Sequence, residues 1–478
     1  MKPSRVTSNS ILVLSSEIID RFLRFVLVIF AARLLGDADY GKITFAIAFG
    51  ALFLILADFG LHQLLIREIA RTPEDVERLM GNGLLIKLLL SGFTAFCIYV
   101  AAQLTNKPQD VMYTVYIIGA SQITGSFAEY FSTVFQGMQR MKYVAIASLI
   151  LSISNTVIGV LVLVLGGSFL TLAWVYLVSR MLKLIYCLVA GLKFTKIVVR
   201  FESSILKFLL LEGAVFGILR FFSIMYTNVD TTMLSLMIGD ETVGWYNAAY
   251  RLIFAMMVIP IGIMRAVYPA LSAYYKSKRE AFNHLFEKTF KLLFWAGTSI
   301  AIVVSLLSDE IVLLIFGEEY INGAAALKIL VWSTAIYFIG TTLTHATRSA
   351  GKQAFTAKVV ATSAFLNLIL NFILIPRYSL VGAAFATVMS EFFTFGFHLW
   401  FVGRYITKPP FLRLLPKVLL INLATGIFVW LMIDLSLFMT LGLVGLGNVG
   451  VVFLSRYFTK DELLRLQNVM KSLRGSQI

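Results

Sequence analysis

The amino-acid sequence predicts an all-α protein that crosses a lipid bilayer about fourteen times. Of its 478 residues, 59% are hydrophobic and only 14% are charged, whereas soluble domains carry about 25% charged residues. The mean hydropathy is +0.85. A soluble chain with this composition would expose large apolar patches to water. Lipid must therefore be the solvent for most of this chain.

Apolar runs of the length that a bilayer requires follow one another along the chain. A membrane-spanning helix needs about 20 mostly apolar residues. Such runs lie near residues 10–34, 42–65, 82–103, 112–135, 143–165, 169–190, 206–237, 243–268, 290–316, 324–347, 356–375, 380–403, 415–433 and 437–455. Charged residues interrupt the first run, unlike the apolar region of a cleavable signal peptide, so we expect this segment to be retained.

The charges between the runs predict the topology. The net charge is +15, and Lys and Arg collect in alternate connections, as expected for cytoplasmic loops. The other connections are acidic, with Lys107 and Arg377 as their only basic residues. This alternation predicts an even number of spans in the cytoplasmic membrane, with both termini in the cytoplasm. The excess of basic residues therefore indicates membrane topology, and we expect no nucleic-acid partner.

A short repeat indicates an internal duplication. The pattern Gly-Asp-x-x-x-Gly joins the first two spans at Gly36–Gly41 and recurs 203 residues later at Gly239–Gly244, between the seventh and eighth spans. Because six spans separate the two copies, the halves would be parallel repeats about an axis along the membrane normal. We expect two six-helix lobes around a central cavity, two additional helices and a cytoplasmic tail, at 1–200, 201–404, 405–456 and 457–478.

Ionisable residues inside the spans are candidates for function, because a charge at mid-bilayer costs about 2.5–3.5 kcal/mol and usually faces a wet interior. The first span carries four of them on one helical face: Glu17, Asp20, Arg21 and Arg24. They either line a cavity or neutralise one another in structural pairs.

Further charges lie in the later spans, and both halves contribute arginine. The proposed substrate-binding residues are Arg21, Arg24, Arg220 and Arg251. The proposed ion-coupling or gating residues are Glu17, Asp20, Asp58, Glu129, Asp230 and Glu391. A guanidinium group matches phosphate oxygens in a bidentate fork, so an arginine-lined cavity predicts an anionic cargo such as a phosphate or pyrophosphate head group.

Motifs for chemistry in water are missing from the sequence. It has no G-x-x-x-x-G-K-[ST] phosphate loop and no H-E-x-x-H, which are signatures of nucleotide and zinc sites. It has no G-x-S-x-G nucleophile elbow. Cys97 and Cys187 lie in apolar runs, so we expect no disulfide framework. We predict a transporter that is not an enzyme, with no catalytic residues, no metal and no cofactor.

Several segments together resemble a known family. They are Ala32–Gly41, Ala57–Leu61, Arg67–Arg71, Gln136–Met141, Val243–Leu252 and Phe316–Tyr320. The chain resembles the oligosaccharide flippases, the polysaccharide-transporter branch of the multidrug/oligosaccharidyl-lipid/polysaccharide exporter superfamily. The resemblance implies a fourteen-helix, two-lobed fold. It also implies alternating-access transport of a polyprenyl-(pyro)phosphate-linked oligosaccharide for surface polysaccharide or glycan biosynthesis, with glycan polymerases or ligases as partners.

Three other functions remain open at this stage. A peptidoglycan-precursor flippase would use the same arginine-lined cavity. A cation-coupled multidrug exporter typically has twelve spans and an acidic cavity, so the extra pair at 415–455 and the arginine content argue against it. A membrane scaffold without transport would not need ionisable groups inside the membrane in both halves.

Overall fold

Helices make up most of the chain in a computed structural model of the protein. The structure describes residues 3–196, 201–455 and 457–458, with side chains from residue 15 onwards except at 219 and 453. Within these residues nine helices are long and apolar enough to cross a membrane, or ten if the bent pair Ser203–Ile218 and Arg220–Met237 is one span. The predicted tail, 457–478, lies outside the described residues beyond position 458.

The described part of the chain contains fifteen α-helices. They are α1 (Pro3–Asp58), α2 (Leu61–Arg71), α3 (Val76–Gln103), α4 (Gln109–Gly137), α5 (Met141–Val164), α6 (Phe169–Gly191), α7 (Ser203–Met237), α8 (Asp240–Met256), α9 (Val258–Ser277), α10 (Arg279–Leu306), α11 (Ser308–Phe316), α12 (Gly323–Ser349), α13 (Gln353–Tyr405), α14 (Phe411–Leu431) and α15 (Leu437–Leu454). Short 3₁₀ turns lie at Pro73–Asp75 and Glu318–Tyr320.

Two of the longest helices each contain a break. The backbone is non-helical at Gly36 in α1 (φ 78°, ψ 173°) and at Ser379 in α13 (φ 53°, ψ −133°). α1 has 56 residues and α13 has 53, and at 1.5 Å per residue each is about twice as long as one membrane crossing. Each of them therefore corresponds to two spans, and the helix order is roughly consistent with the predicted fourteen.

A tight turn separates α1 from α2. Phe59 (φ 45°) and Gly60 (φ 80°) both adopt left-handed backbone conformations, which glycine tolerates and which favour glycine at this position. A Cβ atom on Gly60 would lie 2.1 Å from the carbonyl oxygen of Gly213 on α7. The absence of a side chain at both glycines lets the two backbones approach closely, as small residues do between membrane helices.

The helices form two compact units. The first comprises Met1–Ala255, Ile315–Ala326 and Ala357–Ser390, and the second comprises Met256–Leu314, Leu327–Thr356 and Glu391–Ile478. The predicted division into lobes at 200 and 404 stays a prediction.

Each unit has its own buried core. The core of the first unit includes Leu64, Leu65, Tyr130 and Phe135. In the second unit four phenylalanines recur every fourth residue along α10, at Phe282, Phe286, Phe290 and Phe294, and all are buried. This spacing places them on one helix face. Between helices in lipid, van der Waals packing of such faces replaces water exclusion as the source of association energy.

Candidate functional site

A cation-lined cavity of about 180 Å³ lies within the first unit. Three arginines from three different helices reach it: Arg24 from α1, Arg180 from α6 and Arg251 from α8. Its lining consists of Arg24, Leu27, Val28, Ile47, Ile118, Leu151, Asn155, Tyr176, Arg180 and Arg251. Two of the four predicted substrate-binding arginines therefore share one cavity with an arginine that was not predicted.

Arg24 is held by the acidic residue that precedes it by one helical turn. Its Nε donates to Asp20 Oδ1 at 2.9 Å, and the hydroxyl of Ser152 on α5 also donates to Asp20 Oδ1. The Arg24 side chain nevertheless remains 61% exposed. Asp20 thus orients the guanidinium from one side and leaves most of its surface for another partner. Both interpretations of the ionisable residues in the first span therefore apply to Arg24. It forms a structural pair with Asp20, and it also lines the cavity.

Arg180 and Arg251 have no carboxylate within ion-pair distance among the residues that the structure describes. The Nε of Arg251 is buried without a hydrogen-bond partner. The Arg180 side chain crosses Gly125 of α4, where an added Cβ would lie 3.0 Å from Arg180 Cδ. Both residues are partly buried, and a cation that loses water contact without gaining a counter-ion is costly, so these two guanidinium groups are candidates for binding an anion.

Sequence analysis missed Arg180, although the rule that found the other arginines applies to it. Arg180 and Lys183 interrupt the apolar run of the sixth span, 169–190, as clearly as Glu129 interrupts the fourth. By the same rule, both residues are candidate functional residues.

A second charged group surrounds the turn between α1 and α2. Asp58 is nearly buried, and its carboxylate lies 3.6 Å from Lys87 Nζ and 3.8 Å from Arg220 Nη1. Lys87 is fully buried and also donates to the carbonyl oxygen of Ala57 at 2.8 Å and to the hydroxyl of Ser126. Arg220 therefore pairs with Asp58 and is not among the residues that line the cation cavity. Asp58 therefore pairs with cations from two other helices, α3 and α7.

Glu129 also has a cationic partner on another helix. On α4 it shows no opposite charge within one turn, but it accepts a hydrogen bond from Lys183 of α6. The Lys183 side chain is 10% exposed and that of Glu129 is 43% exposed. This pair links the two helices with the most extensive mutual packing in the first unit, and its carboxylate remains accessible.

Asp230 on α7 occupies a buried site made of neutral polar groups. Its carboxylate accepts hydrogen bonds from Asn371 Nδ2 at 2.6 Å, Thr387 Oγ1 at 2.7 Å and the Tyr246 hydroxyl at 2.9 Å. No Lys or Arg among the described residues forms an ion pair with it. The Oδ1 of Asn371 and the Nδ2 of Asn367 are buried without partners. A buried carboxylate held by neutral donors, with an unpaired amide oxygen on one of the same residues, is a candidate site for a hard monovalent cation or a proton.

The remaining predicted residues differ in their exposure. Arg21 is exposed, and Glu17 is half-buried on the same helix. Glu391 is half-buried in the second unit. In the described ranges 3–196, 201–455 and 457–458, no group of three or more His, Cys, Asp or Glu side chains is placed to hold a metal ion.

The fold and the site define a multi-pass membrane transporter whose first unit contains a cavity lined by three arginines. The chain belongs to the polysaccharide biosynthesis protein family, which it matches over residues 6–275. Residues 217–373 match the MatE family as well. The transporter class and the predicted family resemblance are thus confirmed.

Individual relatives agree with this assignment. The chain is 24% identical over 414 residues to a protein of Haloferax volcanii named probable low-salt glycan biosynthesis flippase Agl15, with 84% of each chain covered. It is 24% identical over 390 residues to a putative O-antigen transporter of Shigella dysenteriae, covering 77% of this chain and 92% of the relative. A solved structure of the lipid II flippase MurJ in an inward closed conformation shares the fold, with a TM-score of 0.73 at 15% identity, over 96% of this chain and 100% of the other.

Proposed function

We propose that this protein is a flippase that moves a lipid-linked oligosaccharide across the cytoplasmic membrane by alternating access, for the synthesis of a surface polysaccharide or glycan. The cavity with three arginines and one neighbouring carboxylate is the observation that carries this proposal. Relatives named as a glycan biosynthesis flippase and an O-antigen transporter support it.

The cargo is recognised through the phosphate or pyrophosphate that joins sugar and lipid. Among the side chains that the structure describes, Arg180 and Arg251 have no carboxylate partner, and Arg24 has only Asp20. Guanidinium groups bind phosphate oxygens through paired hydrogen bonds. Because the interaction involves the phosphate alone, the sugar can differ while the anchoring group remains constant. The polyprenyl tail stays in the surrounding lipid.

Transport by purified protein tests the proposal. The assay reconstitutes the protein in liposomes with a fluorescent polyprenyl-phosphate-linked oligosaccharide and measures the rate at which the label leaves one leaflet. Arg24→Ala and Arg251→Ala each remove charge-assisted hydrogen bonds of about 1.5–3 kcal/mol, so initial rates should fall about 10–150-fold. Arg71→Ala, at an exposed helix end, is the matched control. Native rates in both cavity variants would refute the assignment.

The alternatives drawn from the sequence are not favoured. A peptidoglycan-precursor flippase shares the fold, as the MurJ structure shows, but the curated relatives are named for glycan, capsular polysaccharide and O-antigen synthesis. A multidrug exporter also shares the fold, and the cationic lining of the cavity argues against cationic drugs.

We further propose that Asp230 binds the coupling ion, a sodium ion or a proton. Support comes from its burial, with no cationic partner in the described part of the chain, and from the unpaired oxygen of Asn371 beside it. In the same liposomes, an imposed sodium or proton gradient should accelerate native transport. Asp230→Asn should abolish that acceleration and leave the gradient-free rate within about threefold, because it removes the charge and keeps the shape. Asp434→Asn, at an exposed position, is the control.

The remaining predicted residues receive roles in the same proposal. Arg21 and Arg220 contribute positive charge to the path of the cargo, and Glu17, Asp20, Asp58, Glu129 and Glu391 act in coupling or gating. The two six-helix lobes, 1–200 and 201–404, form the alternating-access machinery. Both termini face the cytoplasm, where the basic loops lie, and glycan polymerases or ligases receive the cargo on the other side. Tags at each terminus, probed in intact and permeabilised cells, test the orientation.

A further inference from the structure

The two copies of the repeated loop pattern lie directly against each other. An ideal Cβ on Gly41 would lie 1.8 Å from the carbonyl oxygen of Asp240, and one on Gly244 would lie 2.1 Å from the carbonyl oxygen of Asp37. Real Cβ atoms essentially never approach other heavy atoms closer than 3.0 Å. Only glycine therefore allows this approach at either position. We refer to the contact of residues 35–41 with 238–244 as the paired-loop contact.

The paired-loop contact is reciprocal under the sequence repeat. The offset of 203 residues relates Gly41 to Gly244 and Asp37 to Asp240. The contact of Gly41 with Asp240 therefore becomes the contact of Gly244 with Asp37 when the two copies are exchanged. Contacts that map onto themselves in this way are the mark of a two-fold axis. The local two-fold axis implied by the duplication passes between the two glycines.

A third segment reinforces the paired-loop contact. The indole Nε1 of Trp245 donates to Asp37 Oδ2 at 2.7 Å and to the carbonyl oxygen of Glu319 at 2.8 Å. Lys107 from the connection between α3 and α4 donates to Asp240 Oδ1 at 2.8 Å. The charge pattern predicts that all of these segments lie on the outer side of the membrane. One hydrogen-bonded layer thus closes this end of the first unit.

The paired-loop contact and the cation-lined cavity are about two helical turns apart on both α1 and α8. Ile47 lines the cavity six residues after Gly41 on α1, and Arg251 lines it seven residues after Gly244 on α8. At 1.5 Å per residue, the cavity begins about 9–11 Å along each helix from the paired-loop contact. Separating the loops would therefore open the cavity towards the side on which the loops lie.

We propose that the paired-loop contact is the outer gate of the transporter and that its two symmetry-related glycines allow it to close. A methyl group at Gly41 or Gly244 would hold the loops apart and bias the protein towards a conformation open to the outside. This inference rests on the proposed function, because a gate has a role only in alternating access. Closure of the gate can nevertheless be measured without any cargo.

Cysteine labelling in intact cells tests the gate. The native cysteines are removed by Cys97→Ala and Cys187→Ala, and Asn155→Cys places one thiol in the cavity. A membrane-impermeant thiol reagent is added from outside, with Leu104→Cys, 76% exposed in an outer connection, as the reagent control. Minor conformers are typically populated at roughly 0.1–10%, so Gly41→Ala or Gly244→Ala should accelerate labelling at position 155 about tenfold or more.

Two further variants make the outcome decisive. Gly92→Ala adds a methyl group to a helical glycine with no atom within 4 Å and should leave labelling unchanged. Trp245→Phe removes two hydrogen bonds of the layer without adding bulk, and it should accelerate labelling even if the glycine variants fail to accumulate. Unchanged labelling in Trp245→Phe and in every folded glycine variant would overturn the gate. The flipping rates of the cavity variants test cargo transport, whereas cysteine labelling tests the gate. Failure of the gate can therefore be distinguished from failure of the proposed function.

Discussion

Arg180 offers the sharpest test of how the cation-lined cavity binds its anionic cargo, because only the tertiary structure brings it beside Arg24 and Arg251. In Arg180→Ala the cavity loses one of its three guanidinium groups. A charge-assisted hydrogen bond contributes about 1.5–3 kcal/mol, and about 1.36 kcal/mol corresponds to tenfold. The variant should therefore bind and transport the lipid-linked oligosaccharide about 10–150-fold less efficiently.

Two companion variants separate the charge of Arg180 from its position. Arg180→Lys keeps the charge but loses the planar fork, so its rate should lie between those of the native protein and Arg180→Ala. Gly125→Ala places a Cβ 3.0 Å from Arg180 Cδ and 3.3 Å from its Nε. This substitution should displace the guanidinium and reduce the rate without changing any charge.

The liposome flipping assay, run over a series of cargo concentrations, measures these effects. A lost cargo contact should raise the concentration for half-maximal rate, whereas a folding defect should lower the amount of active protein and leave that concentration unchanged. Gly191→Ala, where the added methyl group meets no atom within 4 Å, is the control for Gly125→Ala. Native behaviour of Arg180→Ala and Arg180→Lys would refute the role of this arginine.

Three predictions concern stability and are checked by thermal unfolding in detergent. Lys87→Met leaves Asp58 with only the more distant Arg220 and should destabilise the fold by about 3–5 kcal/mol; adding Asp58→Asn should recover part of this loss, and additive effects would contradict the pairing. Lys183→Met should cost less, about 1–3 kcal/mol, because its partner carboxylate stays 43% exposed; an equal or larger loss would argue against this ranking. Gly60→Ala would place a side chain on a left-handed backbone, with its Cβ 2.1 Å from a carbonyl oxygen. It should therefore lower the midpoint temperature of thermal unfolding. An unchanged midpoint temperature would exclude close packing at this position.

The helical membrane fold could be predicted from the sequence because its determinants are local. Each span is a continuous run of apolar residues, and each loop carries its own charge signal. The repeated Gly-Asp-x-x-x-Gly pattern was equally visible. The physical reason for the pattern was not visible, because the close backbone contacts of Gly41 with Asp240 and of Gly244 with Asp37 join residues about 200 positions apart.

The candidate site was only partly predictable, because charge pairing inside a membrane depends on neighbouring helices. Arg24 and Arg251 were predicted and share a cavity, whereas Arg220 turns to Asp58. Glu129 appeared unpaired along its own helix, and Lys183 from α6 is its partner. Asp230 was identified as an intramembrane acid, but the asparagine, threonine and tyrosine around it come from distant segments.

The sequence by itself determined the solvent of this protein and the order of its membrane helices, and it predicts the sides on which its loops lie. Those properties follow from hydrophobicity and charge summed over neighbouring residues. Only the tertiary structure decided which charges neutralise one another and which remain available for an anion. That distinction depends on distances of a few ångströms between side chains on different helices, where electrostatic energy changes most steeply.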